Sequence, residues 1–530
     1  MSEIESNPDG TITYRKLRAP AEHGGVLVTP ADTRQLLAEN LKLLNSSPPT
    51  ATAGWLSDAR DSARAEIIAL ASSYTSRYRN LPEINQSQPV IMAGHQPALF
   101  HPGVWFKNFV LSELGKWLEC TTINLVVDND ISSDASIRVP VEDSGRHSFG
   151  YAFVDEPTAA IPFELRKIQD LDSFRDFATR LSTYIKPFVP DPLVNKLWPH
   201  VLESLDPELR LGHSLAAGRH RLEQDYGIDS LELPVSQLAA TTTFARFAQT
   251  IAEEAMRFAE IYNSSLREYR SVHRIRSRSH PAPDLEIFDD RVELPFWIWR
   301  KDHPQRRRLF ACATGESIQL SDREDITLEL SRHNFIEQFH SASRDGFAVR
   351  PRALTLTMYA RLVLSDVFIH GIGGSKYDQL TDSIVARFFG IQPPGYLSVT
   401  ATLKLPTTHQ NQQIPRVSDL DRELRELRYH PEIEIGSPVD EETAAAIAGK
   451  KEWIARELPR GQRLERHQAI TGYNEALQPV VEPRRRELLG QREQMVASVS
   501  SVKVLGSREY SFPLHPESLP EDLVRMAKSQ

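Results

Sequence analysis

Gly94-His95-Gln96-Pro97, followed at once by His101-Pro102-Gly103, is the densest cluster of reactive side chains in this 530-residue chain. Imidazole titrates near neutrality, so His95 is a candidate general acid or base. Gly94, Gln96 and His101 share this loop, which precedes a helix N-terminus suited to anions, and Lys107 lies one turn into that helix, where it could reach the same anion. The plainer reading is that the two histidines satisfy backbone groups in a tight loop. Asp128-Asn129-Asp130, followed by Asp134, is a second cluster. Asp128 and Asp130 could orient an amine nucleophile, take its proton or hold magnesium, or they could simply form a solvated turn. The third is His370-Gly371-Ile372-Gly373-Gly374-Ser375-Lys376, whose glycines admit a phosphate or carboxylate close to the backbone while Lys376 adds charge. It matches neither the dinucleotide fingerprint nor the P-loop. Arg350 and Arg352 are candidate carboxylate or phosphate clamps, with ion pairing as the alternative. Phe296, Trp297 and Trp299 alternate as strand residues do, which favours packing over ligand stacking.

These clusters need elements to position them. PVIMAG reads as a strand, HQPALFHPG as a loop, VWFKNFVLSELGKWLE as a helix and TTINLVVDND as a buried strand that ends acidic, together a βαβ unit. The same grammar returns in GFAVRP, ALTLTMYARLVLS, DVFIHG, a glycine-rich loop at 371–376, DQLTDSIVARFFG and YLSVTATLKL. The expected fold class is therefore α/β, a Rossmann-like doubly wound parallel sheet in two halves. Residues 1–85 read as a helical N-terminal segment, 86–156 as the first half of the core and 157–332 as a mostly helical insertion with a few strands. Residues 333–416 read as the second half, 417–500 as an antiparallel helical hairpin or coiled coil, and 501–530 as a tail returning to the core. The stripes Leu420, Leu424, Leu427 and Leu464 to Leu488 leave one side of each seam wet, which predicts a homodimer through the hairpin.

Composition bounds the function. Lys and Arg number 62 against 71 Asp and Glu, a net charge of −9, so nucleic acid and anionic membranes are poor partners and a small molecule is expected instead. No window approaches 18 uninterrupted apolar residues and the first residues are acidic and polar, which points to a cytoplasmic chain. Cys120 and Cys312 cannot build a disulfide framework or a four-thiolate zinc site, and no structural metal is expected. No H-E-x-x-H, G-x-S-x-G, paired C-x-x-C or EF-hand loop occurs.

The runs GHQPALFHPGVWFKN and RPRALTLTMYARLVLSDVFIHGIGGSKYDQL resemble the bacillithiol-biosynthesis cysteine-adding enzyme family. The resemblance extends by element order over about two thirds of the chain, with motif identity in about 50 residues. It implies a Rossmann-like core akin to class I aminoacyl-tRNA synthetases, a coiled coil used for dimerisation, and ligation of cysteine to glucosaminyl-malate. It also implies site roles for Gly94, His95, Gln96, Phe100, Lys107, Arg350, Pro351, Gly371, Gly373 and Tyr377. Two departures stand out: the strand ends in Val127-Asp128-Asn129-Asp130 where the family has a richer acidic cluster, and Lys376 stands where the family's loop is acidic. The expected function is thus ligation of an amino acid to a small anionic amine or sugar-derived substrate. A nucleotidyltransferase-like enzyme using an adenine nucleotide and a non-catalytic scaffold stay open beside it.

Overall fold

The strand Val90–His95 begins with four consecutive buried residues, and Thr121–Val126 is buried along its whole length. Such runs, without the polar alternation of a half-exposed strand, belong to a sheet covered on both faces. A computed structural model, describing residues 17–46, 50, 52–81, 84–132, 135–143, 146–407, 416–437, 440–457 and 463–530, shows a mixed α/β protein built on such a sheet. Its six strands run in the order Gly25–Thr29, Leu397–Thr402, Val367–His370, Val90–His95, Thr121–Val126, Leu231–Pro234. All neighbours are parallel except the first pair. From Val90–His95 the chain steps outward to Thr121–Val126 and Leu231–Pro234, and on the other side to Val367–His370 and then Leu397–Thr402. The order reverses between Val90–His95 and Val367–His370, and at such a point the loops beyond the carboxyl ends of the strands diverge and leave a crevice.

A second sheet of five antiparallel strands has the order Thr327–Ser331, Ser317–Ser321, His303–Thr314, Val292–Arg300, Phe347–Pro351. Several sequence boundaries shift accordingly. Residues 1–85 are not wholly helical, because Gly25–Thr29 pairs with Leu397–Thr402 at the edge of the main sheet. Leu231–Pro234 lies within 157–332 yet is a strand of the main sheet, and its four buried residues are too few to show a period. Phe347–Pro351, which carries Arg350, pairs with Val292–Arg300 in the second sheet instead of the first, a choice of partner that no local pattern reveals. The stretch 371–376 is not a loop: the helix Ile372–Ile384 begins straight after Gly371. Asp134 lies outside the described residues.

The chain divides into two compact units, one of residues 1–139, 151–406 and 508–530, the other of 140–150 and 407–507. Among the described residues of the second unit lie one long helix, Arg463–Leu505, and three shorter ones, Val417–Tyr429, Pro431–Ile435 and Glu441–Ala455, where two long helices were expected. Leu420 and Leu427 bury against Val481 and Leu488 with Leu424 beside them, so the stripe closes on itself within the chain, while Leu464 is 67% exposed. Among the described residues no helix is long and apolar enough to cross a membrane.

Of the expected tail, 501–505 complete the long helix and 508–530 belong to the first unit. Residues 508–530 hold no strand, only a 3-10 turn, Phe512–Leu514, and the helix Leu519–Lys528. Phe512 donates its N–H to the carbonyl of Phe100 at 2.8 Å, Ser511 Oγ donates to the carbonyl of Leu99 at 2.5 Å, and the Phe512 ring packs 4.4 Å from that of Trp105. The tail is therefore pinned to the His95–His101 loop. Replacing the fully buried Phe512 by Ala should cost about 3–5 kcal/mol, read as a lowered urea midpoint. A loss under about 1 kcal/mol would mean that the tail is not part of the core.

Candidate functional site

Two cavities open at the carboxyl ends of the parallel strands, both within the first unit. The larger, about 580 Å³, is lined by Gly94, His95, His101, Lys107, His370, Gly371, Gly373, Gly374 and Lys376. The smaller, about 310 Å³, is lined by Asp130, Arg352, Tyr377, His370 and Gly374 among others. Val127, Ala353, Leu356, Thr357, His370 and Gly374 face both, so the two share a wall. Asp128, Gln96 and Arg350 line neither.

Lys107 joins the first and third motifs. It sits on the helix Pro102–Leu118, which starts with Pro102 at its first turn and is capped by His101, whose Nδ1 accepts the N–H of Gly103 at 3.1 Å. That cap is a structural duty for His101; burial depresses its imidazole to about 4 even with Glu509 nearby. Lys107 is 3% exposed and donates from Nζ to the carbonyl of Gly94 at 2.7 Å. Burial, with Arg219 adding repulsion, lowers its ammonium to about 8. A Cβ on Gly371 would stand 3.8 Å from Lys107 Cδ, so the lysine stem runs beside the start of the helix Ile372–Ile384. No side chain caps that helix, so its first-turn N–H groups at Ile372, Gly373 and Gly374 are left to a ligand. Glycine is required at 374, where a Cβ would stand 2.9 Å from His370 Nδ1.

His95 packs its ring against Phe100 at 4.8 Å. Burial and the neighbouring Lys107 push its imidazole down to about 3, so it is a neutral hydrogen-bonding group at physiological pH. His370 Nε2 lies 2.9 Å from Asp378 Oδ2, yet burial outweighs that pairing and His370 too is depressed. Asp378 itself is held well below the carboxylate range by Arg361 and His370 despite its burial.

Asp128 is a brace. Its carboxylate accepts the N–H of Ser236 at 2.9 Å and the Ser236 hydroxyl at 2.5 Å, and faces His213 Nε2 at 3.2 Å. Burial alone would raise its pKa, but the bonds from His213 and Ser236 hold it below the ordinary value. Asp130 accepts from Gln96 Nε2 and, at 2.9 Å, from Arg306 Nη1. Arg350 is spent on Glu164 through two bonds of 3.0 Å, whereas Arg352 donates from Nη2 to Glu293 at 2.5 Å and stacks 4.1 Å from the Trp297 centroid at the wall of the smaller cavity. Lys376 is exposed at the cavity rim, and Tyr377 packs on His280 at 5.5 Å.

Sequence reasoning missed Arg508 and Glu509, which the tail carries to the larger cavity. Arg508 is fixed there by Thr400 and Thr402 Oγ1, each at 3.1 Å. Their one signal was a charged pair directly ahead of the short, mostly apolar run YSFPL. It also missed Arg306 of the smaller cavity, and it assigned Trp297, which lines the same cavity, to packing. Among the described residues no group of three or more His, Cys, Asp or Glu is arranged to hold a metal ion.

No family model and no curated protein matches the chain. Among solved structures, a tryptophanyl-tRNA synthetase of Plasmodium falciparum is similar at 8% identity over 91% of this chain and 97% of that chain. Its TM-score is 0.21, a value that carries no argument about fold or function.

The state of His95 can be tested. A histidine that stays neutral when folded but titrates near 6.5 when unfolded makes the unfolded state bind the extra proton, so stability falls as pH drops below about 6.5 and continues to fall towards 3. His95→Gln should remove up to about 1.4 kcal/mol per pH unit of that slope, measured by urea unfolding between pH 7 and 5. Identical slopes would mean that His95 takes up its proton as readily in the folded as in the unfolded protein and is available as an acid.

Proposed function

We propose that this chain is an enzyme that joins two small molecules, at least one of them anionic, in the manner of the cysteine-adding ligases that its motifs resemble. The core is read as Rossmann-like, with the chemistry at its switch point. The observation that carries the proposal is Lys107: a buried ammonium beside an uncapped helix N-terminus, in a cavity that also receives Arg508 and Lys376 against one acid, Glu509. In that setting a carboxylate or phosphate replaces lost water with Nζ, the Arg508 guanidinium and the N–H groups of Ile372 to Gly374. The second substrate occupies the smaller cavity across the shared wall. Lys107, lowered to about 8, is the residue suited to proton transfer, whereas His95 donates or accepts a hydrogen bond and Asp128 positions the strand end. Amine and carboxylate condense only after the carboxylate is activated, which makes an adenine nucleotide the candidate co-substrate.

Inorganic phosphate and citrate should raise the Tm of the full chain, and Lys107→Met should weaken either anion at least about tenfold, the loss of one charge-assisted contact. Anion affinity should decline above about pH 8 in the wild type, where Lys107 loses its proton, and stay flat in Lys107→Met. Equal responses in both proteins would overturn the reading. ATP belongs in the same screen.

The second unit is read as a coiled-coil homodimer element, since Ile433 and Leu464 stay 73% and 67% exposed after the internal stripe has closed. Deleting 418–500 should convert a dimer into a folded monomer by light scattering, and a deletion variant that is still dimeric would exclude this surface.

A further inference from the structure

The sequence Arg306-Arg307-Arg308 places three guanidinium groups on the strand His303–Thr314 of the antiparallel sheet. Two of them are neutralised there. Arg307 pairs with Asp322, Glu324 and Asp325 at 2.7–3.1 Å, and Arg308 pairs with Glu286 at 2.6 Å and Glu293 at 3.4 Å. Arg306 goes elsewhere. The pairing register with Val292–Arg300 slips between His303 and Arg307, and an irregularity of this kind re-aims a side chain. Its guanidinium carbon lies 4.4 Å from the centroid of the Trp297 ring, and Nη1 is tied to Asp130 Oδ1 at 2.9 Å and to the carbonyl of Asn129 at 3.4 Å. Among the described residues Arg306 bonds through Nη1 alone, so the Nε and Nη2 edge of its fork is unused.

A guanidinium held by a ring on its face and a carboxylate at one corner has already lost the freedom that binding would otherwise cost it. Its open edge matches the two oxygens of a carboxylate. Arg306 also lines the smaller cavity, where Tyr262, Pro281, Pro283 and Leu354 offer an apolar wall. We infer that the smaller cavity is a carboxylate subsite in which Arg306, preset by Trp297 and Asp130, grips the carboxyl group of a compact organic acid whose apolar body lies against that wall. The inference rests on the two-substrate reading above and adds the chemical class of the second substrate. It also gives Asp130 a positioning role towards Arg306.

The test uses the full chain with hexanoate and phenylacetate as probes, their uncharged primary amides as controls, and inorganic phosphate to report on the larger cavity. Both acids should raise the Tm and both amides should not. Arg306→Met should weaken the acids at least about tenfold, and Arg306→Lys, which keeps the charge but loses the fork, at least about fivefold. Asp130→Asn should weaken them as well, while Lys107→Met leaves them unchanged and loses only the phosphate response. Amides that bind as well as acids, or Arg306 variants with wild-type affinity for the acids, would overturn the subsite. If Arg306→Met does not fold, Arg306→Lys decides by the same criterion. No acid response beside a phosphate response that depends on Lys107 would overturn this inference and leave the proposed function standing. A phosphate response indifferent to Lys107 would overturn that function instead.

Discussion

A buried ammonium needs oxygen partners, and the site is organised around that requirement. Lys107 is taken out of water by its own helix and given one carbonyl, that of Gly94, at the end of the strand Val90–His95. One partner does not replace a hydration shell, as the depression of its pKa to about 8 records. The bond also ties helix to strand at the place where the chain order reverses. The Gly94 backbone must sit close to Leu125, since a Cβ there would stand 3.0 Å from Leu125 Cβ, so the geometry of the whole strand end is bound up with where the lysine can reach.

Around this constraint the carboxylates divide into those that brace and those that face a cavity. Asp128 is consumed by Ser236 and His213, while Glu164, whose N–H is donated to the Asp128 carbonyl at 2.8 Å, is in turn held by Arg350. This chain of contacts fastens the strand end Thr121–Val126 to the antiparallel sheet through Phe347–Pro351. Breaking the buried Arg350–Glu164 pair would strand an uncompensated charge, a cost of about 3–5 kcal/mol, so both residues have a structural role that needs no contact with substrate.

What the sequence made legible follows from how far each signal reaches. The strand, loop and helix around His95 are written in local pattern: a short apolar run, a Pro- and His-rich turn, and a period near 3.6 from Phe106 to Trp117. The same holds for the strand that ends at His370 and the helix after it, and both motifs line one cavity. The glycines at 371–374 were misread as a loop because glycine disfavours helix interiors by about 1 kcal/mol each. At Gly374 alone among them the steric room beside His370 accounts for the glycine. Arg508 and Arg306 were out of reach for a different reason. Each arrives from a distant part of the chain, and no local pattern states which strand end a tail or an added sheet will cover.

The same distinction bears on which groups can do chemistry. Asp130 looks like a base by residue type, but its oxygens already accept from Gln96 and Arg306, and a proton placed on them would break the contact that holds Arg306 in register. His95 is pushed down to about 3 and is neutral near pH 7, and burial lowers His370 as well. Lys107 is poised otherwise. An anion in the larger cavity stabilises its charged form and raises its pKa, and departure of that anion lowers it again. In the proposed reaction, loss of charge on the substrate would favour release of the proton that anion binding had retained. That coupling needs no second titrating side chain, only a lysine whose one fixed partner is a neutral carbonyl, and this fold provides one at the end of its central strand.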